Sequence, residues 1–172
     1  MIPTYIDHHA SRRRGITIVE CLTATVITAL MISAALEALR VTTLQKQEAD
    51  DQRVALLLAQ QLMTEIQAAY YEDPQTSPVF GPESGEAGSG REAFDDTDDY
   101  HGYSDAPPMD RTGTAYTGLS DWSRSVSVRW ASSTNYDSDV GAETGYKRIE
   151  VNVSRSGRLI RTLTAIRSKA IP

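Results

Sequence analysis

The sequence contains little cysteine and histidine, and its 17 basic residues are outnumbered by 23 acidic ones. Cys21 is the sole cysteine among 172 residues, so the chain cannot form an internal disulfide. The histidines are His8, His9 and His101, and no Ser-His-Asp, Cys-His or phosphate-binding glycine motif accompanies them. A net charge of -6 argues against nucleic acid as a partner, because phosphate binding needs a basic surface. We therefore expect neither an enzyme nor a nucleic-acid-binding protein, and no organic cofactor.

An apolar run, residues 16–36, carries a single charged residue, Glu20, and directly follows Arg12–Arg14 and Gly15. As a helix this run would be roughly 31 Å long, about the thickness of the hydrocarbon core of a bilayer. We expect it to span a membrane with the arginines on the cytoplasmic side. A plain signal peptide or signal anchor, with a weak cleavage site at Ser33–Ala35, is the alternative. That alternative leaves the carboxylate inside the apolar run unexplained.

The order Gly15, Ile16 and then Glu20 resembles the class III signal of type IV prepilins and pseudopilins. In that family a basic leader ends in glycine, the mature chain begins with an apolar residue, and the fifth mature residue is glutamate. The resemblance implies that a prepilin peptidase cleaves between Gly15 and Ile16 and methylates the new amino group. The chain departs from the family at Ile16, usually Phe, and at Glu37, where major pilins often have Pro. The missing Pro favours a minor pilin or a pseudopilin.

Glu20 has a physical role in a stack of such helices. The buried amino group of Ile16 needs a counter-charge at the same depth, and Glu20 of a neighbouring subunit can supply it. The dipole of the helix also favours an anion near its N-terminus. The alternative is that Glu20 lies at the level of the lipid headgroups and contacts water. The expected partners are the peptidase, other pilins or pseudopilins, and the membrane.

The helical pattern continues beyond the apolar run. No Gly or Pro occurs from Arg40 to Asp73, and Pro74 follows. We expect one helix from Ile16 to about Tyr71, whose second half is amphipathic and resembles the corresponding helix of minor pseudopilins. The residues of its apolar face recur at spacings of three and four: Ala55, Leu58, Ala59, Leu62, Met63, Ile66, Ala69 and Tyr70.

The segment that follows, residues 72–110, is a loop rich in acid, with eleven carboxylates against the single base Arg91. Four carboxylates in five positions are oxygen donors of the kind that calcium prefers, although the spacing is not that of an EF-hand. The predicted calcium ligands are Asp95, Asp96, Asp98 and Asp99. The alternative is a turn in which aspartates cap backbone amides, anchored by Phe94, Tyr100 and Tyr103. The stretch also resembles a segment of minor pilins of the mannose-sensitive haemagglutinin type.

Apolar and polar residues alternate in three later segments, 122–130, 149–154 and 159–166, and this pattern predicts three strands. The link between the second and third strands is short enough for a hairpin, with Gly157 able to adopt positive φ. The predicted fold is α+β. A long N-terminal membrane-spanning helix continues into an amphipathic helix that packs on a small antiparallel sheet, with Leu58, Leu62 and Ile66 under the sheet.

These patterns divide the chain into five regions: a basic leader (1–15), a transmembrane and assembly helix (16–39), an amphipathic helix (40–73), an acidic loop region (74–118) and a sheet region (119–172). We expect a structural subunit of a type II secretion pseudopilus or a type IV pilus. It would cross the inner membrane once, with its C-terminal domain on the extracytoplasmic side, and join a filament. The alternative is a membrane-anchored binding or adhesive module with an acidic loop able to bind calcium.

Overall fold

The fold consists of one long helix followed by a small sheet. The computed structural model describes residues 15–74, 79–83, 85–86 and 90–169. The elements in chain order are α1 (Ile18–Ala68), a 3-10 helix (Asp98–Tyr100), and the strands β1 (Ser104–Asp105), β2 (Trp122–Trp130), β3 (Tyr146–Arg155) and β4 (Arg158–Ser168). The predicted α+β class is confirmed. The predicted leader lies outside the described residues except for Gly15.

Helix α1 runs without interruption for 51 residues, from Ile18 to Ala68. The predicted helix, from Ile16 to about Tyr71, is therefore a few residues too long at each end. The chain forms two compact units, residues 1–46 and residues 47–172, so each unit contains part of α1.

The four strands form one antiparallel sheet in the order β1-β2-β3-β4. The hairpin between β3 and β4 is confirmed, since Arg155 pairs with Arg158 across a two-residue turn. Both turn residues have positive φ, 49° at Ser156 and 78° at Gly157, as the tightest hairpin turns require. Strand β1 was not predicted, because its two residues are too few to show alternation.

The hydrophobic core of the unit at residues 47–172 lies between one face of α1 and the inner face of β2 and β3. The predicted helix face is confirmed over most of its length, since Leu62 and Ile66 are fully buried and Leu58 almost so. The sheet contributes residues that alternate along each strand, as the pleat requires: Trp122, Val126 and Val128 from β2, and Ile149, Val151 and Val153 from β3.

Aromatic rings hold the acidic loop against this core. The edge of Phe94 meets the ring of Tyr100 with centroids 5.1 Å apart, and the ring of Tyr103 at 6.1 Å. Phe94 and Tyr100 are themselves buried core residues. The backbone between them, which contains the predicted calcium ligands, is therefore fixed on the folded unit.

Candidate functional site

The first candidate site is the start of α1, where Thr17 and Glu20 cap the helix reciprocally. The backbone N–H of Thr17 donates to Oε2 of Glu20 at 2.8 Å, and the backbone N–H of Glu20 donates to Oγ1 of Thr17 at 3.2 Å. This arrangement is a capping box, which satisfies two amides that the helix itself leaves unpaired. Sequence reasoning missed it, although the spacing Thr-x-x-Glu is the signal for it.

Gly15 and Ile16, the predicted cleavage pair, directly precede this cap and are exposed. They lie outside the helix, which begins at Ile18. A protease needs backbone that is free of helical hydrogen bonds, so this position suits a cleavage site. Arg12–Arg14 lie outside the described residues.

The apolar part of α1 exposes large side chains. Leu22, Leu30 and Met31 are each more than 60% exposed, and no residue of the first 46 that the structure describes is buried. Among the described residues, α1 is the one helix long and apolar enough to cross a membrane. Cys21 is exposed within this stretch.

The second candidate site is the acidic loop, where two aspartates cap backbone amides. Oδ1 of Asp96 accepts hydrogen bonds from the backbone N–H of Asp98 at 2.7 Å and of Asp99 at 3.3 Å. Oδ2 of Asp99 accepts from the N–H of Asp95 at 3.0 Å and of Asp96 at 2.9 Å. These bonds shape the turn that leads into the 3-10 helix, and they fix the orientation of both carboxylates.

Asp98 forms a buried ion pair with Lys147 of β3. Oδ1 of Asp98 accepts from Nζ of Lys147, which also donates to the carbonyl of Tyr71 and lies 4.4 Å from the centroid of the Tyr71 ring. Oδ2 of Asp98 accepts from the backbone N–H of Gly81 at 3.1 Å. Both oxygens of Asp98 are thus occupied by partners within the chain.

Asp96 differs from an ordinary aspartate in its raised pKa. Burial raises the pKa of Asp96 to about 8, with a further contribution from its hydrogen bond to Asp98 and the charge of that residue. Asp96 therefore takes up a proton more readily than an ordinary aspartate, which weakens it as a ligand for a cation.

The predicted calcium ligands do not all converge. Among the residues that the structure describes, the group of carboxylates that could hold a metal ion is Glu83, Glu86 and Asp99, with one oxygen from each within 4.8 Å of the others. Asp99 is the sole member of the predicted set in this group. Glu83 and Glu86 come from an earlier part of the loop, and their place beside Asp99 has no signal in local spacing.

A second network of largely buried charges, formed by Arg91, Arg124, Glu65 and Asp105, also contacts the loop. Arg91 donates from Nε to Oε1 of Glu65 in α1 at 2.8 Å. Arg124 of β2 donates from Nε to Oδ1 of Asp105 at 3.0 Å, and both guanidinium groups also donate to the carbonyl of Met109. These charges connect the loop to the helix and to the sheet. Arg124 lies on the same face of β2 as Val126, and no local spacing in the sequence indicates Asp105 as its partner.

His101, which carries no predicted role, accepts a hydrogen bond at Nδ1 from the backbone N–H of Val128 at 3.2 Å. The imidazole thus has a structural contact with β2.

Comparison of the chain with protein-family models, with curated proteins and with solved structures returned no match.

Proposed function

We propose that this chain is a minor pilin or pseudopilin, a structural subunit without catalytic activity that enters a type II secretion pseudopilus or a type IV pilus. The observation that carries the proposal is the sequence Gly15, Ile16 and Glu20 at the start of α1, directly before a long exposed apolar stretch. Apolar side chains that the chain does not bury need lipid or other helices around them. For a filament subunit, lipid surrounds these side chains before assembly, and the helices of neighbouring subunits surround them afterwards.

Helix α1 has an exposed apolar part and a part with one buried face. Residues 15–46 expose apolar side chains, whereas from Ala55 onward one face of α1 is buried in the core of the globular unit. A subunit that assembles through its N-terminal helix needs this division, because the helix must hold a folded domain and also contact its neighbours. The positive charge of Arg12–Arg14 supports a leader on the cytoplasmic side of the inner membrane, with the folded unit on the extracytoplasmic side.

Cleavage between Gly15 and Ile16 by a prepilin peptidase would leave a new amino group one residue before Thr17. The capping box holds the carboxylate of Glu20 at the start of the helix, close to where this amino group forms. In a stack of subunits that carboxylate can pair with the amino group of Ile16 on a neighbour. Glu20 thus has a role in its own helix and a second role between subunits.

Substitutions at the capping box separate these two roles. Glu20→Gln keeps an oxygen that can accept from Thr17, so it preserves the cap and removes the charge. Thr17→Ala removes the hydroxyl of the cap and keeps the charge. We expect Glu20→Gln to be inserted and cleaved normally but to be recovered with partner pilins at no more than a tenth of the parent level. The readout is crosslinking and co-purification from membranes at matched protein level.

Glu37→Gln is the matched control, since it makes the same change at another exposed carboxylate of α1. It should assemble like the parent chain. If Thr17→Ala lowers assembly as far as Glu20→Gln does, the capping role explains Glu20. Recovery of Glu20→Gln at the parent level would contradict the assembly role and favour the alternative, a membrane-anchored binding or adhesive module.

A further inference from the structure

Three carboxylates from two parts of the acidic loop lie close together: Glu83 and Glu86, which are half-buried, and Asp99, which is buried. Glu83 and Glu86 lie in a turn in which the N–H of Glu86 donates to the carbonyl of Glu83 at 3.0 Å. Asp99 lies in the 3-10 helix. One oxygen from each residue lies within 4.8 Å of the other two.

The chain's own contacts bring this turn to the 3-10 helix. The N–H of Gly81 donates to Oδ2 of Asp98, the residue before Asp99, at 3.1 Å. The ring of Phe80 meets Trp130 edge-on with centroids 4.8 Å apart and meets His101 at 5.4 Å. The carboxylates are thus held together by contacts of neighbouring residues, although their like charges repel one another.

Two oxygens in this cluster are buried without a hydrogen-bond partner among the described residues: Oδ1 of Asp99 and Oε1 of Glu83. Asp99 is 1% exposed, and its Oδ2 accepts two backbone N–H groups, which fix the side chain and leave Oδ1 unpaired. A buried carboxylate oxygen without a donor is costly, so it needs a proton or a cation beside it.

The part of the chain that the structure describes pairs no cation with this cluster. Among the described residues, no lysine, arginine or histidine forms an ion pair with Glu83, Glu86 or Asp99. This distinguishes the cluster from the other buried carboxylates of the loop, because Asp98 pairs with Lys147 and Asp105 pairs with Arg124.

We propose that Glu83, Glu86 and Asp99 bind a calcium ion, which fastens Glu83 and Glu86 to the 3-10 helix. Calcium takes six to eight oxygen ligands at about 2.3 to 2.6 Å, so two of its ligands can lie up to about 5 Å apart. The separations in the cluster fit within this range. Magnesium binds at about 2.0 to 2.1 Å and demands near-octahedral geometry, which suits a loosely spaced carboxylate cluster less well.

The competing explanation is a shared proton. Partial burial raises the pKa of Glu86 to about 7, and the adjacent carboxyls of Glu83 and Asp99 add to the rise. Ionised carboxylates this close repel one another, since one oxygen of each residue lies within 4.8 Å of the other two. A calcium ion would remove this repulsion, whereas a shared proton would leave calcium without effect.

The test uses the full chain in detergent, freed of metal with a chelator and titrated with calcium chloride at pH 7.5 in a calorimeter. Unfolding is followed in parallel by tryptophan fluorescence, since Trp122 and Trp130 both lie in β2. We expect one saturable site and a Tm that rises with calcium, because a ligand that binds the folded state stabilises it. This test does not depend on the filament role.

Glu86→Gln should weaken calcium binding at least tenfold and remove most of the rise in Tm. In chelator this variant should unfold at the same temperature as the parent chain or above it, because it loses one of three repelling charges. Glu92→Gln is the matched control, since Glu92 is an exposed carboxylate of the same loop outside the cluster. It should bind calcium as the parent does.

Three outcomes would overturn the proposal. The parent chain could show no saturable binding and equal melting curves with calcium and with chelator. Both Glu83→Gln and Glu86→Gln could retain the parent affinity. Asp95→Asn could abolish binding while Glu86→Gln retains it, which would assign calcium to the aspartate run instead.

Discussion

Loss of Lys147 should destabilise the folded unit more than loss of any exposed lysine. Lys147 is 2% exposed, and its ammonium contacts the carboxylate of Asp98, the carbonyl of Tyr71 and the face of the Tyr71 ring. Lys147→Met preserves most of the side-chain volume and leaves the carboxylate of Asp98 buried without its cation. Breaking a buried ion pair in this way costs about 3 to 5 kcal/mol.

The magnitude can be measured as a shift in the unfolding midpoint in chelator, followed by tryptophan fluorescence. For a chain of this size the expected fall in Tm is on the order of 10 °C. Lys169→Met is the matched control, because Lys169 forms an ion pair with Glu72 in which the lysine side chain is 47% exposed. That exposed pair is worth less than about 1 kcal/mol.

A double variant tests the cause of the loss. Lys147→Met with Asp98→Asn removes both charges and keeps an oxygen that can accept from the N–H of Gly81. We expect it to recover a large part of the stability lost by Lys147→Met alone, since no unpaired charge remains buried. If Lys147→Met costs no more than Lys169→Met, the ion pair does not hold the loop and this reasoning is wrong.

Two further substitutions test the core and the second charge network. Leu62→Ala, at a fully buried position of α1, should cost about 2 to 5 kcal/mol in chemical unfolding, whereas Leu57→Ala, at an exposed position, should cost far less. Arg124→Met should leave Arg91, at 3.5 Å, as the one cation paired with Asp105 among the described residues, and it should cost roughly 3 kcal/mol. Arg129→Met, in an exposed ion pair of the same strand, should cost less than about 1 kcal/mol. Loss of equal stability in either matched pair would contradict the assigned contacts.

Periodicity was sufficient to predict most of the fold. The spacings of three and four along α1 and the alternation along β2, β3 and β4 are local patterns, and each identifies an element whose residues are neighbours in sequence. The turn at Ser156 and Gly157 follows from its length and its glycine. Strand β1 is a short bridge to Ser125 and Arg124, so its existence depends on a partner and not on its own residues.

The acidic loop was harder to predict because its contacts join distant residues. Asp98 and Lys147 are 49 positions apart, and no local spacing connects them. Four aspartates in five positions indicate an excess of charge, but their individual roles differ with burial and with the nearest donor. Asp96 and Asp99 cap amides, Asp98 pairs with lysine, and Asp99 in addition faces two glutamates from another part of the loop.

The contacts at the start of α1, unlike those of the acidic loop, join residues that are close in sequence. The motif is entirely local, and the Thr17–Glu20 cap could have been predicted from sequence. The proposed contact of Glu20 with a neighbouring chain concerns an assembly, and it stays a prediction.

The most direct measurement is the intact mass of the chain after co-expression with a prepilin peptidase. The account predicts that cleavage removes the 15 residues up to Gly15 and leaves N-methyl-isoleucine, from Ile16, as the first residue. Gly15→Val is the control. Among the described residues, a Cβ added at Gly15 would meet no atom within 4 Å, so this variant should keep the fold. It should resist cleavage, because the glycine of the proposed cleavage site is lost. An uncleaved parent chain, or one trimmed after Ala35, would contradict the proposed pilin-like function.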